Sequence, residues 1–187
     1  SSRTRGRRCL AAGEHHASTV VFCLSTMMNL RIDIDIPNQH LSLLDGERIV
    51  LSYAISSAKN GVGERKGSNC TPRGRHVVRA KIGEGAAPNT VFVGRRATGE
   101  IYSQGLASRF PTRDWILTRI LWLSGCEPGH NRLGDVDTMR RYIYIHGSPD
   151  SVPMGAPGSI GCIRMHNADI TELFDRVPVG TPVHIRA

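Results

Sequence analysis

The stretch LRIDIDI, residues 30–36, alternates apolar and charged side chains with a period of two. This period is typical of a β-strand with one buried face, because successive side chains of a strand point to opposite sides of the sheet. Asp45-Gly46 is a strong hairpin signal between a second predicted strand, His40–Leu44, and a third, Arg48–Ile55. We therefore expect the fold to begin at Leu30 with a three-stranded meander.

The rest of the chain contains further short strands and one convincing helix. Asn167 is a good N-cap, and apolar residues follow it at helical spacing: Ile170, Leu173, Phe174 and Val177. The predicted strands are Arg75–Ile82, Val91–Val93, Trp115–Leu123, Tyr142–Ile145 and Val183–Ile185. Ser56–Pro72 is predicted to be a long exposed loop, and Gly94–Pro111 an irregular segment. The pattern predicts a β-rich α+β domain over residues 30–187 with one late helix.

Residues 1–29 differ in composition from this domain. Arginines crowd the first eight positions, and an apolar stretch runs from Ala17 to Met28, as in a signal peptide. However, Glu14, His15 and His16 interrupt the apolar character, and no small-x-small cleavage site follows. We expect a tail, or an upstream extension of a chain that starts at Met27 or Met28, with a degenerate targeting segment as the alternative.

The charge and the cysteines limit the function classes. The net charge of +8 suits an anionic polymer, but there are few aromatic residues and no nucleic-acid motif, which argues against nucleic-acid binding. No run is long enough for stable insertion as a membrane-spanning helix. The five cysteines form no metal-spaced pair, and their odd number leaves at least one thiol unpaired in the expected monomer. Cys70 and Cys126 are left open as a disulfide.

One pair of segments has the residue types needed for nucleophilic catalysis. A predicted strand runs into His146-Gly147, and SIGCIRM, residues 159–165, places Cys162 sixteen residues after the histidine. A Cys that follows Gly161 at the start of a helical turn would face backbone amides, which favour the thiolate and hold an oxyanion. The imidazole can move the proton. Arg164 could hold a substrate carboxylate, and Gly147 would let the chain turn after the histidine.

Non-catalytic interpretations exist for the same residues. A Cys in an apolar stretch is often an inert core residue, and a His at a strand end is often structural. Arg164 could be a solvated surface charge. His130 and Asn131 are better explained as turn residues. None of the histidines shows the close paired spacing of a zinc motif, so a metal site is not expected.

His146-Gly147 and SIGCIRM together resemble the signature of the L,D-transpeptidase catalytic domain, the YkuD-like family. The resemblance extends from about Leu30 to Ile185. It includes QHLSL (39–43) and Asp45-Gly46 near the start, TPRG (71–74) in the middle and VGTPV (179–183) at the end. The resemblance implies a mixed β-sandwich or barrel that cross-links peptidoglycan, and so maintains cell wall and cell shape, without a metal or organic cofactor.

The resemblance also implies roles for individual residues. Cys162 would attack the carbonyl at the L-centre of the third residue of a stem peptide, usually diaminopimelate, and expel the terminal D-alanine to leave a thioester. His146 would be the proton donor and acceptor, oriented by a backbone carbonyl near Gly147. Gly161 would supply an oxyanion amide, and Ser159 and Arg164 would bind substrate. Carbapenems acylate cysteines of this kind.

Two departures from the family pattern concern the acceptor rather than the nucleophile. Many members have His in place of Ile160 and Asn in place of Arg164. The acceptor is therefore left open as a stem peptide, a lipoprotein lysine, a free D-amino acid or water. The alternatives are a cysteine peptidase or amidase that hydrolyses stem peptides, and a non-catalytic wall-binding module. The expected location is the periplasm or cell envelope, where the substrate is.

Overall fold

The computed structural model describes residues 29–187. The predicted tail or targeting segment lies outside the described residues apart from Asn29, as do Cys9 and Cys23. The described chain forms a ten-stranded sheet and two α-helices. In chain order these are β1 Leu30–Asp35, β2 His40–Asp45, β3 Arg48–Ala54, β4 Gly74–Ile82, β5 Thr90–Val93, β6 Arg96–Ile101, α1 Gln104–Arg109, β7 Ile116–Gly125, β8 Tyr144–Ser148, β9 Ile163–His166, α2 Asn167–Arg176 and β10 Pro182–Arg186, with a 3₁₀ turn at Gly134–Val136.

The strands form a single mixed sheet. Its order is β3-β2-β1-β10-β4-β7-β5-β6. β8 lies outside this order and pairs with β7 on one side and with β9 on the other. β1 lies parallel to β10, and β8 lies parallel to β9, whereas the other neighbouring strands are antiparallel. The last strand, β10, is therefore the one that joins the β1–β3 meander to β4. The predicted β-rich α+β class is confirmed.

The first strands bury the face that their alternation predicts. Ile32, Ile34 and Ile36 are buried, and the register sets Ile32 and Ile34 opposite Leu43 and Leu41 of β2, which are buried as well. These side chains belong to the main core, which continues through the inward residues of β8, β9 and β10. Burial of one apolar face is what fixes the register, since a shift by one residue would expose it.

The late helix α2 packs against β7, β8 and β9. Its buried face contains Ile170, Leu173 and Phe174, as the helical spacing predicts. The helix begins at Asn167 itself, and His166 occupies the N-cap position without a capping side-chain hydrogen bond, so the predicted N-cap is wrong by one residue. No helix among residues 29–187 is both long and apolar enough to cross a membrane.

The prediction of an irregular segment over Gly94–Pro111 is wrong. This stretch contains β6 and the short helix α1, so α2 is not the only helix. β6 is an edge strand whose side chains are nearly all exposed, and it is held by backbone pairing with β5. Such a strand buries no apolar face and has no hydrophobic alternation to reveal it. Ser103 is the N-cap of α1, and its Oγ accepts a hydrogen bond from the Leu106 amide.

Candidate active site

β8 and β9 bring the histidine and the cysteine together. The two strands are parallel, with Ile145 opposite Ile163 and His146 opposite Arg164. Ile145 and Ile163 face the main core, whereas Cys162 packs on the other face, against the cluster that contains Tyr144. Because residues two apart in a strand point the same way, His146 shares this second face with Tyr144 and lies diagonally across from Cys162.

The local settings of both residues differ from those predicted. His146 does not close its strand: β8 continues through Gly147 to Ser148. Cys162 does not open a helical turn: it lies immediately before the strand β9. The positive end of a helix dipole therefore does not act on the thiol. A glycine after a strand pattern predicts a turn, but Gly147 is a strand residue here, so the predicted strand end falls too early.

The thiol of Cys162 is held between two backbone groups. Its Sγ accepts a hydrogen bond from the Tyr144 amide at 3.4 Å and donates one to the Tyr142 carbonyl at 3.5 Å. Burial raises the pKa of Cys162 to about 12, while the Tyr144 amide and the arginines at 164 and 141 act in the opposite direction. The Cys162 thiol is therefore protonated at neutral pH.

His146 is fully buried and has one ring nitrogen engaged. Its Nδ1 lies 2.8 Å from the carbonyl oxygen of Gly147, to which Nδ1–H donates. Nε2 has no hydrogen-bond partner among residues 29–187. Burial lowers the pKa of His146 below its usual 6.5, against Asp114 and the Gly147 carbonyl, which raise it. A neutral imidazole with an unused acceptor nitrogen is what a general base requires.

Gly147 leaves room for the residues that hold β8. A Cβ there would lie 2.5 Å from Asn167 Oδ1 and 2.6 Å from the Leu117 carbonyl oxygen. Asn167 Nδ2 donates to the Ser148 carbonyl, and its Oδ1 accepts from the buried hydroxyl of Thr118. Thr118 lies in a bulge of β7 at a φ of 69°, which is unusual for a β-branched residue. The glycine is needed for close packing, and no sharp turn occurs.

The substitution Gly147→Ala is expected to destabilise the protein by about 1–3 kcal/mol, because the added methyl group meets a backbone oxygen and a buried amide. The free energy of unfolding in urea measures this effect. Gly105→Ala in α1 is the matched control, since a Cβ there meets only Ser103 Oγ at 4.0 Å. Equal stability of the two variants would contradict the packing role of Gly147.

The turn that carries Cys162 is braced from within by Ser159. The Ser159 hydroxyl donates to the Cys162 carbonyl at 2.5 Å and accepts from the Gly161 amide at 3.2 Å. The Gly161 amide, predicted as an oxyanion donor, is therefore engaged in this structure, whereas the Cys162 amide donates to no backbone acceptor among residues 29–187. Gly161 adopts a φ of 133°, which favours glycine at this position.

The predicted exposed loop, Ser56–Pro72, instead packs in part against this turn. Ser56, Ser57, Ala58 and Thr71 are buried. The Ser159 amide donates to the Ser57 carbonyl at 2.9 Å, and Thr71 Oγ1 donates to the Gly161 carbonyl at 3.0 Å. The polar composition of the loop satisfies backbone groups of the cysteine turn, so polarity here does not indicate exposure.

Two charged residues outside the predicted motifs, Asp114 and Arg141, also lie at the cavity beside Cys162. Arg164 Nη2 is paired with Asp114 at 2.6 Å, so a substrate carboxylate would have to compete with this carboxylate for the predicted contact. Arg141 donates to the backbone carbonyls of Gly63, Glu64 and Cys70 and fixes the loop to the cavity. Neither Asp114 nor Arg141 belongs to a motif, and each resembles an ordinary surface charge in the sequence.

Cys162 lines a cavity of about 550 Å³ that opens to solvent. Its wall is formed in part by the side chains of Arg95, Asp114, Tyr142 and Ile160. Ile160 is 61% exposed, where many members of the family resembled have a histidine. The cavity gives a ligand access to the sulfur.

Two further cysteines lie among residues 29–187. Cys70 and Cys126, whose pairing was left open, are both free thiols. Residues 29–187 contain no group of three His, Cys, Asp or Glu side chains placed to share a metal ion.

Comparison with known proteins agrees with the motifs and the fold. A family model described as the L,D-transpeptidase catalytic domain matches residues 29–185. A probable L,D-transpeptidase of Salmonella typhimurium, ErfK/SrfK, is 51% identical over 45 residues, which are 24% of this chain and 15% of that protein. The putative L,D-transpeptidase YkuD of Bacillus subtilis is 46% identical over 46 residues, 25% of this chain and 28% of that one.

Solved structures resemble the chain more extensively. L,D-transpeptidase 3 from Mycobacterium tuberculosis, in complex with a faropenem-derived adduct, superposes with a TM-score of 0.52 at 14% identity, over 86% of this chain and 61% of that one. The L,D-transpeptidase LdtMt1 in complex with imipenem gives a TM-score of 0.52 at 19% identity, over 85% and 59%. The matches thus span less than two thirds of the length of these relatives.

Proposed function

Because the chain belongs to the L,D-transpeptidase catalytic-domain family, we propose that it transfers acyl groups between peptidoglycan stem peptides through a thioester on Cys162. One observation carries the proposal: a protonated thiol at a cavity wall shares a sheet face with a neutral imidazole whose Nε2 is unused. The mechanism uses no metal and no organic cofactor. The periplasm or cell envelope is the compartment that this substrate requires.

The first half-reaction forms the thioester. His146 Nε2 takes the thiol proton as Sγ attacks the carbonyl carbon of the third stem residue, and the Tyr144 amide supports the negative charge on sulfur. The Cys162 amide, which donates to no backbone acceptor among residues 29–187, would donate to the oxyanion. When the tetrahedral intermediate collapses, the peptide C–N bond breaks. The imidazolium then returns its proton to the leaving amine of the terminal residue.

The second half-reaction transfers the acyl group to an amine. The amine attacks the thioester carbonyl, His146 accepts a proton from it, and the C–S bond breaks. The proton then returns to the sulfur and regenerates the thiol. Water in place of the amine gives hydrolysis, so the difference between a transpeptidase and a peptidase lies in which acceptor reaches the thioester first.

The acceptor is tested with a purified muropeptide that carries a tetrapeptide stem. We expect loss of the terminal residue together with the formation of cross-linked dimers, because the cavity at Cys162 opens to solvent, from which an acceptor amine can reach the thioester. Liquid chromatography with mass spectrometry distinguishes dimers from free tripeptide stems. A yield of tripeptide stems alone would assign the protein as a hydrolase, and recovery of unchanged muropeptide would contradict the catalytic proposal.

A further inference from the structure

Three arginines lie in or next to the cavity beside Cys162, and they differ in whether a partner within the protein binds the guanidinium group. Arg141 gives its hydrogen bonds to three backbone carbonyls and to Ser68 Oγ. Arg164, next to the cavity, is paired with Asp114. Both guanidinium groups are thus committed to partners within the protein. Arg95 also lines the cavity, and no Asp or Glu among residues 29–187 is within ion-pairing distance of it.

The surroundings of Arg95 fix its orientation without neutralising it. Its guanidinium lies 4.6 Å from the centre of the Trp122 ring and 4.8 Å from the centre of the Tyr142 ring. One nitrogen donates to the Tyr144 hydroxyl at 2.9 Å. Contact with the two aromatic rings stabilises the cation but uses none of its N–H groups. Most of the five donors of this side chain therefore remain available to a ligand.

The backbone places Arg95 at a well-defined point. It occupies the tight turn between β5 and β6, after Gly94, at a φ of 68°. The half-buried side chain reaches from this turn to Tyr144, the residue whose amide also contacts Cys162 Sγ. The unpaired cation and the nucleophile are thus connected to the same residue of β8.

We propose that Arg95 binds a free carboxylate of the acyl-donor peptide, an inference that rests on the proposed function. A planar guanidinium with adjacent free donors suits the bidentate contact that carboxylates make. A stem peptide carries two carboxylates near the scissile bond: that of the terminal residue and that on the side chain of a diaminopimelate third residue. Both have the same chemistry, so the experiment separates them.

The test uses three donors: the tetrapeptide stem, the same peptide with its terminal carboxylate amidated, and the same peptide with the third-residue side-chain carboxylate amidated. For wild type, we expect one amide to lower kcat/KM by roughly 10- to 100-fold, mainly through KM, because a charge-assisted contact is lost. For Arg95→Gln, kcat/KM for the unmodified peptide should be as low as the wild-type value for the sensitive amidated donor. In this variant, the same amidation should not lower kcat/KM any further.

Arg96→Gln is the matched control, because the exposed neighbour carries the same charge and does not line the cavity. It should keep the wild-type preference. Labelling of Cys162 by neutral iodoacetamide checks that Arg95→Gln retains an intact site. If the glutamine variant does not fold, Arg95→Lys replaces it: lysine keeps the charge but not the bidentate geometry, so the cost of amidation should be smaller than in wild type. Wild type that turns over all three donors equally overturns the Arg95 proposal alone. Wild type that turns over none contradicts the transpeptidase proposal as well.

Discussion

Replacement of Cys162 by alanine is expected to remove every covalent step. The wild-type protein, incubated with a carbapenem, should gain one covalently bound β-lactam by intact-protein mass spectrometry, because the acyl group would be held on this sulfur. The variant should gain none, and its release of the terminal stem residue should fall by at least about 10⁴-fold.

The other free thiols supply the control for this experiment. Cys126→Ala removes a thiol that lies after β7, outside the Cys162 cavity, and should leave the adduct and the turnover unchanged. Peptide mapping of the wild-type adduct should place it on the fragment that contains Cys162. An adduct that persists in Cys162→Ala, or that maps to Cys70 or Cys126, would remove Cys162 from the mechanism.

Replacement of His146 by alanine should lower the rate of acylation by about 10² to 10⁴ and change its pH dependence. The pKa of His146 is lowered from 6.5, so the base stays neutral at pH 7. The acylation rate of wild type should therefore decline only at a pH below 6.5. The pKa of Cys162 is raised to about 12. Without the imidazole, acylation should therefore rise about tenfold per pH unit between pH 7 and 9, as thiolate forms.

The measurement is the rate of carbapenem acylation as a function of pH for both proteins. His184→Ala on β10 is the control, because that side chain is exposed and lies outside β8 and β9. It should keep the wild-type profile. A near-normal rate and an unchanged acid limb in His146→Ala would mean that another group takes the thiol proton.

The sequence predicts the elements that bury one apolar face and misses those that do not. LRIDIDI and the spacing from Ile170 to Val177 indicate β1 and α2, because burial forces apolar residues into a strand or helix period. β6 has no such face and was missed. The β8–β9 pairing could not be predicted either, since parallel neighbours have no turn signal between them.

Some residues of the candidate site are predictable from a motif, and others become apparent only in the assembled fold. Cys162 and His146 stand in a recognisable motif, and the sequence alone brings them to attention. Asp114 and Arg141 matter through contacts with residues distant in the chain, such as the Asp114 pair with Arg164, fifty positions apart. The Gly147 carbonyl accepts from His146 Nδ1, which fits the backbone role that the resemblance implies, but no sharp turn follows it. The clash that requires glycine involves Asn167 and Leu117 and is invisible before the strands are assembled.

The position of β10 between β1 and β4 affects how the chain reaches this structure. On the ribosome, β10 is made after the other nine strands of residues 29–187, yet among these strands it is the one that pairs with both the amino-terminal meander and β4. Until that segment emerges, β1 and β4 present unpaired edges that invite wrong association. Assembly of the sheet is thus a late, long-range event, and long-range strand pairing of this kind favours slow folding.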